Sequence, residues 1–70
     1  NMHYENETVK IHCTDKDQYL DALVISSNQH GIVMTLENGS IRLRFVKMPN
    51  KNMYIANMSG YEFVYDPLKQ

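Results

Sequence analysis

Tryptophan is absent from this chain, and cysteine occurs once, at Cys13. A single cysteine excludes an internal disulfide framework and any zinc site built on two or four cysteines. It also favours a reducing compartment, so a cytoplasmic location is expected. No apolar run approaches the roughly 20 residues of a membrane span, and no basic start followed by an apolar stretch suggests a signal peptide. A soluble chain with no membrane partner is therefore expected. Asn1 ahead of Met2 reads as a cloning remnant before a native initiator. An excess of positive charge is missing too: seven Lys and Arg stand against eight Asp and Glu, a net charge of −1. That balance gives no global argument for nucleic acid. Phosphate loops of the GxGxxG or GxxxxGKS/T kind do not occur, so nucleotide chemistry has no signal. Repeats, heptads and low-complexity segments are likewise absent.

What remains is a chain of 70 residues with 43% hydrophobic content, ordinary for a globular fold. The length suits a single small β domain over residues 2–70, with residues 2–8 and 68–70 frayed. A chain this short buries only a marginal core, and self-association is one way to complete it.

Asn38-Gly39, between two apolar runs, sets the register of the centre. A two-residue type I′ turn needs positive φ at both positions, which Asn and Gly tolerate best. Pairing outward from it sets Glu37 against Ser40, Leu36 against Ile41, Thr35 against Arg42, Met34 against Leu43, Val33 against Arg44 and Ile32 against Phe45. Because side chains alternate, one face carries Ile32, Met34, Leu36, Ile41, Leu43 and Phe45. The other carries Val33, Thr35, Glu37, Ser40, Arg42 and Arg44. A one-residue slip would mix the two sets.

The flanking segments extend the pattern. Val9–Cys13 alternates as an edge strand, Val9, Ile11 and Cys13 inward, Lys10 outward to discourage further pairing. Asp15 and Gln18 have capping-box spacing, which allows one helical turn before a strand over Leu20–Ser27. Gly31 suits a left-handed residue closing the Asn28–Gly31 loop. If Ser27 faces Ile32, then Leu23 and Ile25 join the inner face, and Val24 and Ser26 the outer one. Pro49 interrupts the ladder. Met53–Asn57 follows, with Tyr54 and Ala56 on one face and Ile55 on the other. Tyr61–Tyr65 is the last strand, with Tyr61, Phe63 and Tyr65 inward and Val64 outward. The fold class is all-β: a strongly bent antiparallel sheet or a five- to six-stranded barrel. Its strand rhythm is similar to that of SH3-like and Sm-like barrels. An OB-fold is less suitable, since there is no room for its helix.

Few constellations carry chemistry. His3, His12, Cys13 and His30 lack metal-ligand spacing on one face. Cys13 and His30 would form a nucleophile and base only if folding joined them, and no glycine turn or helix start surrounds the cysteine. Asp15, Asp17 and Asp21 lack the glycine and glutamate of an EF-hand loop. The expectation is no enzyme, no cofactor and no metal. Two surfaces stand out. Val24, Val33 and Val46 share the outer face with Arg42 and Arg44, a mixed face suited to protein contact. Arg42, Arg44, Lys47 and Lys51 form a basic strip with no intervening anion, near Tyr54, suited to phosphates and stacked bases. Glu37, diagonal to Arg42, is placed to neutralise part of it. The sequence thus favours a non-enzymatic binding module, contacting a protein or itself through the outer face of the 20–46 meander. The alternative is single-stranded nucleic-acid binding by the strip 42–51.

Overall fold

A computed structural model describes residues 6–70. Six strands follow one another: β1 (Thr8–Cys13), β2 (Gln18–Asn28), β3 (Gly31–Leu36), β4 (Ile41–Lys47), β5 (Tyr54–Met58) and β6 (Tyr61–Tyr65). Each pairs antiparallel with the next, and β6 returns to β1 to close a barrel. Closure gives every strand a partner on both sides, although the β1–β6 and β4–β5 seams hold only two residue pairs each. No helix among the described residues is long and apolar enough to cross a membrane.

The central hairpin follows its expected register from Leu36↔Ile41 to Ile32↔Phe45, and adds Gly31↔Val46. Asn38 (φ 58°, ψ 31°) and Gly39 (φ 90°) both take positive φ. The Ser40 N–H donates to the Glu37 carbonyl at 3.2 Å, and this closes the turn. Alternation then delivers the core: Ile32, Met34, Leu43 and Phe45 are at most 1% exposed. Val9, Ile11 and Cys13 complete it from β1, Ala56 from β5, and Phe63 and Tyr65 from β6.

Strand β2 departs from the expected alternation. Ser27↔Ile32 and Ser26↔Val33 pair as counted, but the next pair is Val24↔Met34, followed by Leu23↔Thr35. Ile25 is the extra residue of a β-bulge, which reverses the inside and outside of everything before it. Val24 is therefore fully buried, Ala22 is buried, and Leu23 is 37% exposed. The assignment of Val24 to the outer face, and of Leu23 and Ile25 to the inner one, is corrected. The backbone beside the bulge is held by the chain ahead of β1: Val24 N–H donates to the Glu7 carbonyl at 2.9 Å, and its own carbonyl accepts from Asn6 N–H at 2.7 Å.

Other expectations change as well. Strand β1 is not an edge, because His12 and Cys13 pair with Val64 and Phe63 while its other side pairs with β2. Lys10 does point outward, and its ammonium lies 2.7 Å from Asp21. No helical turn forms before β2. Asp15 turns away to accept the Glu62 N–H at 2.7 Å, while the Thr14 N–H donates to the Glu62 carbonyl at 3.1 Å, prolonging the β1–β6 seam. Finally, residues 6–8 and 68–70 are tied down. Asp66 caps a short turn over Pro67–Lys69. The Gln70 amide accepts from the Lys10 N–H at 2.6 Å and donates to the Lys10 carbonyl at 3.1 Å, in the manner of a strand neighbour. Residues 2–5 of the expected frayed start lie outside the described residues.

Tyr61, expected inward, opens β6 beside the tight Ser59-Gly60 turn and is 39% exposed. Tyr65 is buried, and that burial pushes its phenol above the ordinary value, with Glu7, Tyr54 and Asp66 adding to the effect.

Candidate binding face

Strand β4 places Arg42, Arg44 and Val46 on the outside of the barrel, since its alternate residues Leu43 and Phe45 fill the inside. Val33 stands opposite Arg44, and Gly31 opposite Val46. Gly31 has no side chain for a physical reason other than turn geometry. It is not a left-handed residue, contrary to expectation; a Cβ built there would lie 2.1 Å from the Phe45 carbonyl oxygen. The two backbones approach too closely for any other residue.

A recess of about 520 Å³ lies beside this close approach, where the end of β2, the start of β3 and the end of β4 meet. Gly31, Val33, Arg44 and Val46 are among the residues that line it. Ser26, Asn28 and His30 come from the end of β2 and its turn. That turn is fixed, because the Asn28 carboxamide oxygen accepts from the N–H groups of His30 at 2.7 Å and Gly31 at 3.2 Å. Val46, next to the last residue of β4, is 52% exposed. Among the described residues, no acidic side chain lies within ion-pair distance of Arg42 or Arg44. Glu37 therefore does not neutralise the strip in the way its diagonal position suggests.

The seven residues singled out from sequence divide into groups. Val33, Arg44 and Val46 converge on the recess. Arg42 sits two residues along the same strand face, opposite Thr35, which is itself buried. Lys47 and Lys51 are joined to each other, the Lys47 ammonium donating to the Lys51 carbonyl at 3.0 Å. Val24 is in the core and takes no part in the surface.

Sequence reading missed how the outer face continues beyond β4. Val46 pairs with Ile55, Ile55 with Val64, Val64 with His12, and His12 with Tyr19. A row of apolar side chains thus runs round the barrel to an aromatic pair, the His12 and Tyr19 rings stacked 4.4 Å apart at 14°. Alternation already turned Ile55 and Val64 outward; only the registers between separate hairpins put them in one line.

The other constellations come apart. His12 lies 2.8 Å from Asp17, Asp15 bonds the Glu62 backbone and Asp21 pairs with Lys10, so the three aspartates do not converge. Cys13 and His30 flank opposite ends of the eleven-residue β2 and are not brought together. His3 lies outside the described residues. Comparison with known proteins finds no matching family model, no similar curated protein and no similar solved structure.

Proposed function

We propose that this protein is a non-enzymatic binding module that contacts another protein, or a second copy of itself, through the outer face of β3 and β4. The observation that carries this reading is the recess beside Gly31, lined by Val33, Val46 and an Arg44 that has no ion-pair partner among the described residues. An exposed valine and a half-buried one beside an arginine resemble the composition of interface centres. The pair Arg44→Glu with Val46→Asp tests it. Both positions are exposed, so the fold should survive. We expect circular dichroism and melting to stay close to those of the parent protein, while association, read as solution mass and as co-purifying protein, is lost. Unchanged mass and unchanged partners would overturn the reading.

Single-stranded nucleic acid on Arg42, Arg44, Lys47 and Lys51 is the second reading. It is favoured by two exposed guanidiniums with no acidic partner among the described residues. It is weakened because Lys47 is engaged with Lys51, and because Tyr54 is half-buried against the core rather than open to a base.

A further inference from the structure

One mouth of the barrel is a separate candidate, distinct from the outer face. The turns after β1, β3 and β5 all lie at this end, and Cys13, Leu20, Leu36, Ile41, Met58 and Phe63 line the opening between them. The recess holds about 320 Å³. Leu20, Ile41 and Met58 are only partly covered although they pack against the core. A concave, largely apolar site with a few polar groups at its margin is the general form of a small-molecule site, and barrel mouths are a common place for one.

Its margin carries two opposite charges on separate turns. Lys16 belongs to the β1–β2 turn, its ammonium 4.9 Å from the centre of the Tyr61 ring. Glu37 belongs to the β3–β4 turn. Among the described residues neither forms an ion pair, with the other or with any third group. The remaining acids of the first turn are engaged elsewhere, Asp15 with the Glu62 N–H and Asp17 with His12. An apolar opening whose lining includes a cation and an anion, neither in an ion pair among the described residues, is complementary to a zwitterion with an apolar tail. We infer that this mouth binds a free apolar α-amino acid. The side chain enters among Leu36, Ile41 and Met58, the carboxylate faces Lys16 and the ammonium faces Glu37.

The test uses the intact protein with methyl and amide labelling, titrated with L-leucine, 4-methylpentanoate and 3-methylbutylamine. The last two share leucine's tail but keep one charge each. Expected is a saturable shift of the Leu20, Leu36, Ile41 and Met58 methyl signals with leucine. Each single-charge analogue should bind at least about tenfold more weakly, the loss of one charge-assisted contact. Lys16→Gln and Glu37→Gln, both at exposed positions, should each reduce leucine affinity toward that of the corresponding analogue. Alkylation of Cys13, in the wall of the mouth, should slow when leucine is bound. Equal binding of all three compounds would overturn the assignment of the charges. The absence of a saturable shift with leucine would overturn the site.

Discussion

Gly31→Ala should destabilise the barrel by about 3 kcal/mol or more, at the upper end of overpacking costs. The new methyl would sit 2.1 Å from the Phe45 carbonyl oxygen. A flexible side chain could swing aside, but this obstacle is backbone, in a strand held on both sides by β3 and β5. Relief requires β3 and β4 to part at Gly31↔Val46, where the ladder begins. A chain of 70 residues has about 4–10 kcal/mol of stability in total. The loss is thus a third of the fold or more, and the melting temperature should fall by about 12 °C or more. Thermal and urea unfolding read this directly. Alanine at the exposed Gly39 meets no neighbouring atom but does meet a positive φ of 90°, and should cost less, about 1–2 kcal/mol. Equal costs at the two glycines would contradict the close approach at Gly31.

Val24→Asp should abolish folding, whereas Val46→Asp should cost only about 1 kcal/mol, the span of strand propensity. Both valines read as outer-face residues when β2 is counted one for one against β3. The bulge at Ile25 separates them, leaving Val24 at 0% exposure and Val46 at 52%. A carboxylate at position 24 has no cationic neighbour in the apolar cluster of Val9, Ile11 and Phe45, and it would fold only by taking up a proton. A carboxyl pKa raised by 3–5 units corresponds to about 4–7 kcal/mol, the size of the whole stability. Val24→Ala gives a measurable companion, with an expected loss of about 2 kcal/mol from the missing methyl groups. If Val24→Asp folds like the parent protein, the bulge is misplaced.

That bulge marks the limit of what the sequence makes legible. Periodicity and one turn dipeptide are enough for the β3–β4 register, because a two-residue loop leaves no freedom in the pairing. Nothing in LDALVISSN announces an extra residue. The bulge is stabilised by Asn6 and Glu7, nearly twenty positions earlier, which take the Val24 backbone bonds. The same holds at the capping-box pattern of Asp15 and Gln18. Its local signal is real, but Asp15 finds a backbone donor at Glu62, forty-seven residues on, and the strand wins. For the candidate face, Val33, Arg44 and Val46 were readable from alternation alone. The recess between them was not, because it depends on how the end of β2, the start of β3 and the end of β4 meet rather than on any residue type in its lining.

The central claim is that the face around Val46 and Arg44 meets protein. The most direct measurement places a photo-reactive benzoylphenylalanine at position 46 in the producing cell and, in parallel, at position 10. Lys10 is exposed on β1, three strands away round the barrel. The account predicts a covalent protein adduct from position 46, to a second copy or to another polypeptide, and none from position 10. No adduct from position 46, an adduct to nucleic acid alone, or equal adducts from both positions would contradict it.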